Sequence, residues 1–183
     1  CDCWPIHTLR ASPDDLFAGS PPLAFTFGLG GLLLFPLRIG ASTLLLEKAS
    51  PDALLAAIAG YRLTVLFTAP TSYRAMAAHA AQHDLSSLRK CVSAGEALPA
   101  ATRKLWKDAT GIEIIDGIGS TELLHIFISH CEEDARAGAT GKAVPGYRAC
   151  VMDDDGQPLP AGLVDGSELP EPPSLKRARL QAD

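Results

Sequence analysis

A mainly parallel α/β sheet with βαβ crossovers is the fold class that the sequence predicts. Three observations carry it: short apolar or β-branched runs, helical patterns with legible starts between them, and glycine-containing loops where two of the runs end. Continuously apolar runs suit strands buried on both faces of a parallel sheet. Strand alternating with helix then requires crossover connections.

The predicted strands, in order, are "STLLLE" (Ser42 to Glu47), "LTVLFTA" (Leu63 to Ala69), "KCVSAG" (Lys90 to Gly95) and "IEIIDG" (Ile112 to Gly117). Ser50 as N-cap, with Pro51 at the first helical position, opens the helix after the first of these. Thr71 or Ser72 is the predicted start of "YRAMAAHAAQH", and Pro99 precedes "AATRKLWKDA". Residues 1–145 are thus expected to form an α/β domain. Residues 146–162 begin a β-rich portion, with a strand over Tyr147 to Met152 and the hairpin signal Asp155-Gly156. From Leu163 the text "LVDGSELPEPPSLKRARLQAD" has almost no periodicity and several prolines, which predicts a disordered tail.

Composition narrows the function. Of the 183 residues, 47% are hydrophobic and 20% charged, so the chain folds around a core. A formal net charge of −5 excludes a broad phosphate-binding face, so nucleic acid is not an expected partner. The apolar window Leu23 to Ile39 is interrupted by Gly28, Gly30, Gly31, Pro36 and Arg38, and falls short of the roughly 20 residues that cross a bilayer. No membrane partner is expected. Five cysteines without a CxxC pair read as reduced thiols, and no export signal opens the chain, so the expected compartment is the cytoplasm.

The candidate chemistry lies in two loops at strand ends, where open α/β sheets bind ligands. "CVSAGEALP" (Cys91 to Pro99) and "IIDGIGSTE" (Ile114 to Glu122) both carry glycines and both lead toward a helix. Gly95, Gly117 and Gly119 let backbone approach a ligand, and Ser120 with Thr121 would place hydroxyls and N–H groups at a helix N-terminus, where phosphate is favoured. Taken alone, the same glycines also serve ordinary tight turns. Glu122 reads either as a first-turn helix acid or, beside phosphate, as a ligand for Mg²⁺. His125 follows Glu122 by three residues and on a helix would share its face, as a substrate contact or a buried structural imidazole. His79 and His83 have the i, i+4 spacing of zinc ligands without the glutamate of the metalloprotease motif, so they read as a solvated helix face.

In combination these motifs resemble the adenylate-forming superfamily, which includes acyl- and aryl-CoA synthetases, firefly luciferase and peptide-synthetase adenylation domains. "GIGSTE" resembles its Tyr-Gly-x-Thr-Glu motif, "SAGEALP" its adenine-side loop, and "GATGKAVPG" its Gly-x-x-Gly-x-x-x-Pro-Gly segment. The run Asp-Gly-Ile-Gly-Ser-Thr-Glu with Leu-His-Ile-Phe after it, and "SPPLAFTFGLGG" upstream, resembles the benzoate- and 2-aminobenzoate-CoA ligase branch more closely than the superfamily at large. The resemblance runs from Cys1 to about Gly162 and implies part of the large N-terminal domain of such an enzyme.

The resemblance implies ATP-dependent activation of a small aromatic acid to an acyl adenylate, followed by transfer to coenzyme A. It assigns Thr121 to the α-phosphate and Glu122 to Mg²⁺. Gly95, Glu96, Ala97, Asp116, Gly117 and Ile118 would surround the adenine of ATP or AMP. Thr26, Phe27, Gly119, His125 and Ile126 would form the acid pocket, His125 offering a polar contact to a carboxylate or ring substituent. No Ser/Thr/Gly-rich phosphate loop ending in Lys precedes these motifs, and no match to the ribose-binding Gly-Asp or the C-terminal catalytic Lys follows. The expectation is therefore an incomplete copy, inactive by itself, with a non-catalytic remnant as the alternative reading. A dinucleotide-binding dehydrogenase fits less well, since neither loop has G-x-G-x-x-G with an acid about 20 positions on.

Overall fold

The structure is a computed structural model that describes residues 2–153 and 155–159 and the backbone of residues 181–182. Two compact units are present, Cys1–Pro145 and Gly146–Asp183.

The first unit is built on a seven-stranded sheet of order β2-β1-β3-β4-β5-β6-β7. The strands are β1 (Leu16–Gly19), β2 (Ser42–Thr43), β3 (Val65–Thr68), β4 (Lys90–Ser93), β5 (Ile114–Gly119), β6 (Ile126–Ser129) and β7 (Lys142–Ala143). Pairing is parallel from β2 through β5 and antiparallel from β5 to β7. The predicted strand at Ser42 to Glu47 pairs only over Ser42 and Thr43. Beyond them Leu44, Leu46 and Ala49 turn against the core without laddering.

Helices α1 (Thr26–Leu29) and α2 (Phe35–Ile39), joined by a π-turn over Gly30–Leu34, follow β1. Helix α3 (Pro51–Tyr61) starts where its cap chemistry says it should: Ser50 Oγ accepts from Ala53 N–H at 3.3 Å. Its Leu54, Leu55 and Ile58 are fully buried. Helix α4 (Pro70–Ala77) begins one turn-position earlier than predicted, with Ala69 rather than Thr71 or Ser72 as its N-cap. A residue before proline is pushed to extended backbone, and Pro70 is preformed for the first helical position. Helix α4 stops at Ala77, so His79 and His83 flank a separate 3₁₀ turn over Ala80–Gln82 instead of sharing one helix face. Helix α5 (Ala100–Thr110) runs from Pro99 to Gly111, whose φ of 75° ends it.

Each face of the sheet has its own core. On one, Leu54, Leu55, Ile58, Leu66, Tyr73, Met76, Cys91, Trp106 and Ile114 form one buried cluster. Tyr73 Oη, held in it, donates toward Leu66 O and Val92 O at 3.1 and 3.0 Å and so bridges β3 and β4. Burial pushes the Cys91 thiol up to about 12, which makes it an inert core residue. The described cysteines Cys3, Cys91, Cys131 and Cys150 are all free thiols. The other face carries an aromatic cluster of Trp4, Phe17, Phe27, Phe35 and Phe67, with ring centroids 5.6 to 6.1 Å apart in the Phe67 contacts. Beneath the sheet, buried Asp15 receives Arg89 and also accepts from Thr64 Oγ1 at 2.7 Å and Ser12 N–H at 2.8 Å, tying the bases of β1, β3 and β4 together.

In the second unit, β8 (Tyr147–Arg148) pairs antiparallel with β9 (Gln181–Ala182). The predicted strand to Met152 is thus short, although Met152 makes an isolated bridge to Pro158 across a turn with Gly156 at φ 77°. Within the predicted disordered tail, only the Gln181–Ala182 backbone is described. The rest of that tail lies outside the described residues. Among the described residues, no helix is long and apolar enough to cross a membrane.

Candidate functional site

A cavity of about 190 Å³ opens where β1, β4 and β5 end and β6 begins. Phe25, Thr26 and Phe27 form one wall, Ala94 and Gly95 a second, and Gly119, Ser120, Thr121, His125 and Ile126 the third. The carboxyl ends of parallel strands are where such sheets bind ligands. The cavity therefore joins the two glycine loops to residues some 90 positions upstream. Of the residues singled out in the sequence, Glu96, Ala97, Asp116, Gly117, Ile118 and Glu122 are not among its walls. Phe25, at its mouth, has a sequence signal only in its position next to Thr26.

The run "DGIGSTELLHIF" is not a strand followed by a helix. After β5 the chain makes a closed turn and enters antiparallel β6. Ser120 N–H donates to His125 O at 3.2 Å, Leu124 N–H to Thr121 O at 3.1 Å and His125 N–H to Leu123 O at 2.9 Å. Leu124 at the centre of that last, tight turn has φ 70°, a conformation no helix contains. Ser120 and Thr121 thus stand on a turn rather than at a helix N-terminus, and Glu122 and His125 share no helix face. The reason is legible afterwards: Ile126, Phe127 and Ile128 are β-branched or aromatic and form a strand in which Ile126 and Phe127 are buried.

Two glycines of the run answer to close approach. A Cβ on Gly117 would lie 2.6 Å from Ile126 Cδ1, so Ile126 packs directly over that position. One on Gly119 would lie 2.9 Å from His125 O, at the point where the β5–β6 register shifts. Gly95, by contrast, faces open space and has φ 86°, which a side chain resists.

Buried polar atoms without a partner collect at this edge. Ser93 Oγ, Asp116 Oδ1, Ser120 Oγ and His125 Nδ1 are four such atoms, and Ser93 and Asp116 are direct partners in the β4–β5 register. An unmatched buried polar atom costs about 1–3 kcal/mol, so Ser93, Asp116 and Ser120 call for partners from outside the protein, while His125 Nδ1 is enclosed by aromatic rings. Burial holds the Asp116 carboxyl above the usual range, against the opposing pull of Gly117 N–H, the Arg103 guanidinium and Thr140. The Asp116 backbone is tied on both sides: its N–H donates to His130 Nε2 at 3.2 Å, and its O accepts from Ser129 Oγ at 2.6 Å. Arg103 also donates to His130 Nε2, at 3.1 Å, so that nitrogen accepts and Nδ1–H donates to Cys131 O at 2.9 Å.

At the Phe27 wall of the cavity, His125 is buried and reaches Phe27 O from Nε2 at 3.2 Å. Burial lowers its pKa to about 4, with the Phe27 carbonyl pulling the other way. A second cavity, of about 250 Å³, lies on the β6–β7 side between His130, Asp134, Arg136, Ala139, Gly141 and Lys142. Both ring nitrogens of its one buried imidazole are already engaged.

Thr121 and Glu122 are exposed at the tip of the turn. No group of three or more His, Cys, Asp or Glu side chains is placed to hold a metal ion among the described residues. A single free carboxylate beside a hydroxyl still fits Mg²⁺, which takes one or two carboxylates and completes its shell with phosphate oxygens and water.

The family described as AMP-binding enzyme matches residues 1–169. The chain belongs to that family. The chain is 38% identical over 165 residues to the benzoate–CoA ligase of Thauera aromatica, covering 88% of this chain and 31% of the relative. It is 35% identical over 176 residues to the anthranilate–CoA ligase of Pseudomonas aeruginosa, covering 96% and 34%. The crystal structure of the anthranilate CoA ligase AuaEII in complex with anthranoyl-AMP superposes with a TM-score of 0.84 at 47% identity, covering 88% of this chain and 32% of that one. A benzoate CoA ligase from Burkholderia xenovorans LB400 gives 0.81 at 36% identity, covering 88% and 34%. The chain thus spans about a third of the length of the relatives it matches. Its fold is the mainly parallel α/β sheet of the N-terminal domain of adenylate-forming enzymes.

Proposed function

We propose that this chain forms the acid pocket and part of the adenylate cradle of an ATP-dependent aryl–CoA ligase, acting on benzoate or an aminobenzoate. One observation carries the reading: a single cavity unites Gly95, Gly119 and Thr121 with Thr26, Phe27, His125 and Ile126. A nucleotide at the first set and an aromatic acid at the second would meet end to end. The unmatched Ser93, Asp116 and Ser120 atoms beside it support a polar ligand there.

In the reaction, a carboxylate oxygen attacks the α-phosphorus of ATP and pyrophosphate leaves with the electron pair of the broken P–O bond. The sulfur of coenzyme A then attacks the acyl carbon and AMP departs. Positioning and charge neutralisation, not covalent participation by the protein, carry such a transfer. Thr121 donates its hydroxyl to the α-phosphate, and Glu122 would hold Mg²⁺, which would supply positive charge to offset that of the phosphates. Gly95, Glu96 and Ala97 line one side of the adenine. Asp116, Gly117 and Ile118 line the other, with the half-exposed Ile118 side chain as its aliphatic face. Phe27 gives the acid ring a flat wall, and Gly119 leaves it room.

The test is a chimera in which residues 2–159 replace the matching third of an anthranilate–CoA ligase. ATP–pyrophosphate exchange driven by 2-aminobenzoate or benzoate is expected, and Glu122→Gln lowers it by orders of magnitude while preserving size. A folded chimera that accepts no aromatic acid, or a Glu122→Gln rate unchanged at limiting magnesium, would refute the assignment.

A further inference from the structure

His125 lines the acid cavity, yet its Nε2 is turned to the protein's own backbone and its Nδ1 is buried. Nε2 points to Phe27 O, an acceptor, so Nε2 carries the proton and donates across 98 residues of chain. Nδ1 is consequently the bare nitrogen, and it is sealed from solvent. The imidazole is caged by rings, with centroids at 4.6 Å from Phe35, 5.4 Å from Trp4, 5.6 Å from Phe27 and 6.2 Å from Phe67. Gly30 closes the cage, since a Cβ there would stand 2.5 Å from His125 Cδ2. Trp4 Nε1–H is also buried without a partner.

We propose that His125 is a positioning residue, whose Nε2–H bond to Phe27 O latches the start of α1 to the start of β6 and sets the spacing of the two walls of the acid pocket. Phe27 O is the last carbonyl but two before the π-turn and also receives the N–H of Gly30. Through it, the latch orders the peptide that carries Thr26 and Phe27. At its other end, His125 O accepts from Ser120 N–H, next to Thr121. One residue thereby clamps both the acid wall and the turn proposed to meet phosphate. What is positioned rests on the aryl-acid reading of the cavity; the latch itself does not.

The latch is a neutral one. Among the described residues, the groups facing His125 from the packed elements are the Trp4, Phe27, Phe35 and Phe67 rings and the Phe27 carbonyl, and no charged side chain contributes to its titration. Protonation would put a second N–H, on Nδ1, into an apolar cage, so the arrangement favours one tautomer through the neutral pH range.

Nitrogen-15 NMR of the 183-residue chain reads the tautomer directly. The expected signature is a protonated Nε2 and a bare Nδ1; a protonated Nδ1 overturns the proposal. Amide hydrogen exchange supplies the second measurement. In His125→Leu the Leu29 and Gly30 amides are expected to exchange roughly tenfold faster relative to Val92 in β4, while His125→Gln, whose amide nitrogen can occupy the Nε2 position, restores them. Equal acceleration at Val92, or no recovery in His125→Gln, would make His125 an ordinary core residue. Such failure leaves the ligase reading standing, whereas a chimera inactive toward every aromatic acid would remove that reading and leave the latch.

Discussion

Alanine in place of glycine should have opposite effects in two helical segments of this chain, and the sign is set by what the new methyl group meets. Gly60 lies near the end of α3 with nothing within 4 Å of an added Cβ. There the gain is the reduced freedom of the unfolded chain, about 0.5–1 kcal/mol. Gly31, in the π-turn between α1 and α2, would bring its Cβ to 2.5 Å from Phe67 Cδ1 and 2.6 Å from Cε1. Carbon atoms prefer about 3.5–4.0 Å, so the overlap is roughly 1 Å. The Phe67 ring is fully buried and cannot retreat, because Phe27, Trp4 and Phe17 lie at 5.6, 5.9 and 6.1 Å. Overpacking of this kind costs about 1–3 kcal/mol, which exceeds the propensity gain and leaves Gly31→Ala less stable by about 1–2 kcal/mol. For a chain of this length that corresponds to a fall in Tm of roughly 2–8 °C, against a rise of about 1–4 °C for Gly60→Ala. Urea unfolding with an unchanged m-value measures both. If Gly31→Ala is as stable as the parent or more so, the close packing of Phe67 against the π-turn is wrong.

Other perturbations follow from the buried polar groups. Asp15→Asn should cost about 2 kcal/mol by leaving Arg89 unpaired at the base of the sheet. Burial raises the Asp15 pKa, but the bonds from Arg89, Ser12 and Thr64 outweigh it and leave it below the usual range. Its contribution is therefore present above the unfolded carboxylate pKa and lost as pH falls through the folded one, an acid limb that Asp15→Asn lacks in pH-dependent unfolding. His125 works in a different window. With a folded pKa of about 4 against 6.5, the unfolded chain alone takes up its proton between them, so stability falls as pH drops through that range. The total is about 3 kcal/mol, absent in His125→Gln. Gly119→Ala puts a methyl 2.9 Å from His125 O, which is backbone and cannot swing aside. The Ser120 amide should then exchange at least roughly tenfold faster, and unchanged protection would contradict the close approach of β5 and β6.

Local order was legible along the chain because its causes are local. Ser50 with Pro51, and Pro99 before an amphipathic run, state helix starts in the residues themselves. The runs at Val65–Thr68, Lys90–Ser93 and Ile114–Gly119 are apolar enough to be interior strands in any arrangement. The motifs that resemble the AMP-binding family are contiguous and were readable for the same reason. Only the tertiary structure decided that β5 turns back into antiparallel β6 rather than into a helix, since Leu124 at φ 70° is held by bonds on either side of it. The need for Gly117 and Gly119 likewise comes from Ile126 and His125 across the sheet. The tautomer of His125 is set by a carbonyl 98 positions away, and the cavity by three loops separated along the chain. Spacing along a sequence records which residues can form an element together; which elements then face one another depends on burying the apolar surface of all of them at once.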